Sequence, residues 1–175
     1  MSFNFNEQLE QDAKQYNVQR SEYFKFQEGD NNIRVLSPSA VLARHQLGVK
    51  QSAICYGKDE GCPYHGENEI EIRVKWWMWI HDLRDNKVKI AEMPYTIVKA
   101  LGQFQQSEEY GFQDLPIPYI INITAEKAGT KEVKYTILPA RQNSSIPADI
   151  ERDYLNKKPI DDIVEAVKNK AKEQG

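Results

Sequence analysis

Between positions 70 and 81 the chain reads IEIRVKWWMWIH. Apolar and polar side chains alternate there with the period of two expected of a strand. Ile70, Ile72, Val74, Trp76, Met78 and Ile80 share one face, which reads as a core; Glu71, Arg73, Lys75, Trp77, Trp79 and His81 share the other. Turn residues at Asp85-Asn86 and the run behind them predict a second strand folded back on the first. Upstream, EYFKFQEGDNNIRVLS sets two alternating runs around Gly29-Asp30-Asn31-Asn32, the pattern of a hairpin, and strand character continues to Ile54. The period changes in PYTIVKALGQF, where Ile97, Val98, Leu101 and Phe104 recur at helical spacing behind a proline suited to a first helical turn. PYIINITAE and KEVKYTILPA predict another strand pair around Gly129-Thr130. From Ala148 helical spacing returns, with Ile160, Ile163, Val164, Val167 and Ala171 on one stripe.

This order of strands, loop, strands, one helix, strands and helical tail predicts a mainly β, α+β chain. The expected architecture is an OB-fold-like antiparallel barrel with a metal-knuckle loop, one helix before the last strand pair and a helical C-terminal tail. A β-sandwich is the competing arrangement of the same strands. Three segments are expected: a polar, Gln/Asn-rich arm over 1–20, a barrel domain over 21–146 and a helical extension over 147–175.

A length of 175 residues suits one core. No apolar run approaches the roughly 20 residues that cross a bilayer. The start, MSFNFNEQLEQD, has no basic segment followed by an apolar one. The expectation is a cytoplasmic protein without a membrane partner. Net charge is −3, and the stretch from Arg20 to Arg141 holds 16 basic and 16 acidic residues. A polyanion site therefore requires that charges be segregated onto one face.

The two cysteines lie in ICYGKDEGCPYH with a histidine close behind. A reducing cytoplasm disfavours a disulfide. The spacing His45-x9-Cys55-x6-Cys62-x2-His65 supplies four N and S ligands of the kind Zn²⁺ takes tetrahedrally, one ion per chain. Gly61 and Pro63 make the turn that brings Cys62 and His65 to one ion, and Gly57 relaxes the first knuckle. With four protein ligands the ion is structural. His81 is the alternative to His45, and the bland alternative is a buried cysteine pair beside two surface histidines.

On the second face of the 70–81 strand, Arg73 and Lys75 beside Trp77 and Trp79 combine phosphate-following cations with stacking surfaces for unpaired bases. The competing reading packs both tryptophans under the helical tail. Lys87 and Lys89 on the next strand and Lys25 and Arg34 in the first hairpin add cations, and Tyr56 and Tyr64 beside the knuckle are further stacking candidates.

YFKFQEGDNNIRVLSP, the His-Cys-Cys-His knuckle, KWWMWIHD and KYTILPAR, in this order, resemble the zinc-containing OB-fold single-stranded DNA-binding proteins of tailed phages, the helix-destabilising proteins of T-even-type replication. The likeness spans roughly Tyr23 to Arg141. It implies a non-enzymatic protein that coats and protects single-stranded DNA during replication, recombination and repair, with phage replication and recombination proteins as further partners. That family's site has one histidine and three cysteines, and His65 stands here where the third cysteine would be. The family's short basic motif in the N-terminal arm has no counterpart in MSFNFNEQLEQDAKQ, and from Asp149 onward seven acidic residues are balanced by six basic ones. Two rival functions remain: a zinc-stabilised protein-interaction domain, and a metal-dependent nucleic-acid enzyme. A zinc deaminase needs a general acid/base Glu and an open coordination position; His65-Gly66-Glu67 reads His-x-Glu, but the chain has no Cys-x-x-Cys, and a four-ligand site leaves no open position.

Overall fold

A computed structural model describes residues 22–66 and 70–175, together with residues 4 and 7. The arm expected over 1–20 lies outside the described residues apart from those two. The described chain is one mainly antiparallel sheet with three helices: β1 (Gly29–Val35), β2 (Ala40–Gly48), β3 (Gln51–Ile54), β4 (Ile72–Asp82), β5 (Lys87–Met93), α1 (Tyr95–Gln106), β6 (Ile121–Glu126), β7 (Lys134–Pro139), α2 (Ala148–Leu155) and α3 (Ile160–Gln174).

The sequence Gly29-Asp30-Asn31-Asn32 does not turn. It is the first half of β1, paired with β6 from Gly29↔Ala125 to Ile33↔Ile121. The reason is the side chain of Asn31, which is fully buried. Its Nδ2 donates to the carbonyls of Gln27, Gly29 and Ile123, and its Oδ1 accepts the Gln27 N–H. An amide that favours a turn in solution thus ties the strand down.

β4 organises the sheet. One of its edges pairs first with β2, from His45↔Ile72 to Ala40↔Trp77, and then with β1, from Val35↔Ile80 to Ile33↔Asp82. Across the break between these ladders Leu36 N–H donates to the Trp79 carbonyl, and Trp79 N–H donates to Ser37 Oγ. Its other edge pairs with β5, whose ladder ends at Trp76↔Met93. The sheet order is β3-β2-β4-β1-β6-β7, with β5 on β4. No ladder joins β5 to β7, so the expected barrel is not closed by strand pairing among the described residues. Part of that gap is bridged by the segment before β1. Phe24 N–H donates to Ile90 on β5, and the Phe24 ring meets Phe26, which in turn meets Tyr135 on β7, each pair at 4.9 Å.

Two apolar cores result, one on each side of β4. Ile33, Val35, Met78, Ile80, Met93, Ile121 and Ile123 form the first, closed at one end by Ile97 of α1. The second gathers Leu42, Trp77, Trp79, Val88 and Ile90 beneath Ile150 of α2 and Ile160 and Val164 of α3. The tail thus buries its stripe on the sheet, as amphipathic helices do. Pro159 at the N-cap of α3 follows the end of α2, splitting the tail into two helices. No described helix is long and apolar enough to cross a membrane.

Candidate functional site

His45 comes from β2, where it pairs with Ala53 of β3 and Ile72 of β4. Cys55 follows the last residue of β3, and its N–H donates to the Ala43 carbonyl at 2.9 Å, so the hairpin fixes the first two donors. The chain then folds back on itself: Glu60 and Cys62 N–H donate to the Gly57 carbonyl, and Gly61 N–H to Lys58. Gly57 and Gly61 adopt φ of 107° and 84°, left-handed values that glycine takes without strain. This turn presents Cys62 and His65 to the hairpin.

The four donor atoms all lie within 4.8 Å of one another. Cys55 Sγ is 3.2 Å from His65 Nε2, and Cys62 Sγ is 3.5 Å from His45 Nε2. With metal–sulfur bonds of about 2.3 Å and metal–nitrogen bonds of about 2.0–2.1 Å, a tetrahedral S···N edge is about 3.6 Å. The quartet therefore fits a metal ion in number, donor type and spacing. His45 and Cys62 are buried, Cys55 and His65 half-buried. Burial, and then the neighbouring His65, push the His45 pKa down, which favours the neutral imidazole that ligates. Burial pushes the Cys55 thiol up; the Gly57 amide and Lys168 act the other way, and Cys62 with burial. A bound cation reverses that balance by favouring thiolate. Both cysteines are free of disulfide. His81 takes no part: it is buried with its Nε2 2.7 Å from Asn86 Oδ1, so His45 completes the group.

The expected stacking face is corrected by the fold. Trp77 and Trp79 are only 3% and 2% exposed. Trp77 lies edge-on to Tyr23 and under the Arg44 guanidinium; the Trp79 indole donates to the Lys158 carbonyl, with Lys157 over its ring. The cause is the helical tail, which covers this side of β4 and makes it a second core. Arg34 is also buried, donating to the Ile117 carbonyl and to Ser144 Oγ, so it does not face solvent. Lys89 is held by Asp82 and Asp85 at 2.9 and 2.6 Å. Lys25 and Lys87 are exposed, Lys75 half-buried, and Arg73 exposed beside Glu71. Tyr56 and Tyr64 are half-buried, the Tyr64 ring 5.4 Å from His45.

What alternation concealed lies on the other face. Where β4 runs beyond the end of the β5 ladder, its supposed core positions open to solvent. Ile72 and Val74 are exposed, as is Val41, the partner of Trp76 on β2. Trp76 is only half-buried, and its ring lies 6.1 Å from Tyr95, which is 62% exposed at the start of α1. This strip runs into a cleft of about 380 Å³ beside the quartet, lined by Lys58, Tyr64, His65, Ile70 and Ile72. Lys99, four residues after Tyr95 on the same helical face, is exposed at the opposite end. No sequence signal marked Tyr95, whose exposure depends on where α1 sits.

Comparison of the chain with family models, with curated proteins and with solved structures gives no match.

Proposed function

We propose that this chain is a non-enzymatic single-stranded DNA-binding protein whose His45, Cys55, Cys62 and His65 hold one structural zinc ion. The observation that carries the reading is the open strip of Val41, Ile72, Val74, Trp76 and Tyr95, with lysines at both ends. Exposed aromatic rings stack unpaired bases of any sequence, while cations follow the phosphates. Monomeric soluble proteins rarely leave a contiguous apolar surface of this kind without a partner. In this reading Trp76 and Tyr95 replace Trp77 and Trp79 as stacking residues, Tyr64 and Lys58 extend the path toward the metal loop, and Arg73 and Lys75 reach round the edge of β4 that β5 leaves open. Two soft sulfurs and two imidazoles favour zinc over harder divalent ions.

The connectivity supports an OB-type barrel. Strands β1, β4 and β5 form a meander interrupted by the β2–β3 hairpin and metal loop; a helix precedes the last pair, and β6 returns beside β1. The sequence resemblance to tailed-phage helix-destabilising proteins agrees with it and supplies the setting of phage replication, recombination and repair.

The aliphatic share of the strip favours a second reading, a zinc-stabilised domain that binds another protein there. Titrating tryptophan fluorescence with oligo(dT) at two salt concentrations separates the two. Single-strand binding weakens with salt as counterions are released, by roughly 0.7 in log–log slope per phosphate contact. No change in fluorescence with oligo(dT) at low salt removes the DNA reading.

A further inference from the structure

The C-terminal end of α3 lies on the loop that the quartet closes. Lys172 Nζ meets Glu60 Oε2 at 2.6 Å, and Glu60 sits in the turn between Cys55 and Cys62. Gly175 approaches Tyr56 so closely that a Cβ there would lie 3.1 Å from its hydroxyl. Ile54, the residue before Cys55, packs in the same core as Val164 and Val167 of α3. Two direct contacts and one shared core thus join a short segment, residues 54–60, to α3 and its C-cap.

That segment has little else to hold its shape. Between Cys55 and His65 the only buried side chain is the ligand Cys62, and the backbone contributes a few turn hydrogen bonds. An exposed ion pair such as Glu60–Lys172 stabilises little unless both partners are already fixed in place. The four ligand side chains are what can fix the loop partner, because they tie Cys55, Cys62 and His65 to His45 on the sheet.

We propose that the metal loop is the clasp of the C-terminal helix: the quartet with its ion holds Tyr56 and Glu60 where α3 docks. α3 in turn keeps Trp77 and Trp79 covered. Loss of the ion releases α3 from its C-terminal end first, because the clasp grips Lys172 and Gly175 while Ile160 and Val164 remain seated on the sheet. The ion then acts on the tail of the protein as well as on its own loop. This inference rests on the metal occupancy proposed above and is independent of the DNA reading.

The test is hydrogen exchange of the full chain loaded with zinc, treated with a chelator, and reloaded, with zinc content measured alongside. Chelation should speed exchange of the α3 amides over 165–174 by roughly tenfold or more while the β4–β5 ladder stays protected, and zinc should restore it. Glu60→Gln and Lys172→Met should each retain one zinc per chain yet exchange faster in the same segment. The clasp is overturned if chelation leaves α3 protection unchanged, if β4–β5 opens together with α3, or if both variants exchange like the wild type. A wild type that takes up no zinc overturns it together with the metal reading, and leaves oligo(dT) binding to stand or fall on its own titration.

Discussion

The indole Nε1 of Trp79 donates to the main-chain carbonyl of Lys158 at 2.9 Å, joining the central strand β4 to the link between α2 and α3. A residue that alternation places on an open face is thereby sealed beneath the tail. Trp79→Ala should destabilise the protein by about 3–5 kcal/mol, the cost of emptying a buried aromatic site. Trp79→Phe keeps most of the bulk and loses the donor, so it should cost less, with about 1 kcal/mol attributable to the hydrogen bond. Urea unfolding measures both; a Trp79→Ala protein with the wild-type midpoint contradicts the buried assignment.

Removal of residues 148–175 uncovers Leu42, Trp77, Trp79 and Ile90 together. The truncated chain should lose its sharp unfolding transition or aggregate, because a second core is left facing water. Thermal melting decides. A truncated protein that melts as cooperatively and at the same temperature as the full chain rules out a stabilising role for the tail.

Tyr95 is largely exposed, with its ring tilted at 47° to that of Trp76. Tyr95→Ala should leave stability within about 0.5 kcal/mol and weaken oligo(dT) binding by about 1–3 kcal/mol, with little base preference. Trp76→Ala should weaken binding similarly but also cost some stability, since that ring leans on the first core. Unchanged affinity in both variants would mean that the strip is not the stacking surface.

Elemental analysis should find one zinc per chain, and Cys62→Ser should lose it. Metal-binding energy is coupled to folding, so chelation should lower the melting temperature of the wild type. A chelator without effect on melting, in protein that contained zinc, would show that the ion contributes nothing to stability.

Asp82 is fully buried, with its carboxylate accepting from Arg84 and Lys89. Burial alone raises its pKa; the hydrogen bonds from those two cations outweigh it and bring the carboxyl below its ordinary value. A folded-state pKa below the unfolded one contributes stability above about pH 3.9 and loses it as pH falls through the lower, folded value. Asp82→Asn should therefore be less stable than the wild type at neutral pH, and the gap should narrow on acidification below about pH 4. Urea midpoints at several pH values test this, and a gap independent of pH contradicts it.

The strands of residues 72–93, the helix behind Pro94, the last strand pair and the four clustered donors were legible in the sequence, because each depends on local spacing. Period two and period 3.6 are properties of neighbouring residues, and the donors of the quartet lie within one hairpin and one loop. Local spacing cannot say which face of a strand meets solvent, for that depends on what packs against it from far along the chain. α2 and α3, some 70–90 residues beyond β4, bury Trp77 and Trp79. The end of the β5 ladder at Met93 leaves Ile72 and Val74 uncovered on the face that alternation marks as core. Asn31 shows the same limit at one residue: its side chain prefers a turn on its own, but the Ile123 carbonyl, brought beside it by β6, helps hold it in a strand. The sequence alone determined which residues can pair or ligate. The burial of the sheet's two faces, and with it the candidate binding surface, was decided by tertiary packing, because solvent exposure depends on distant elements.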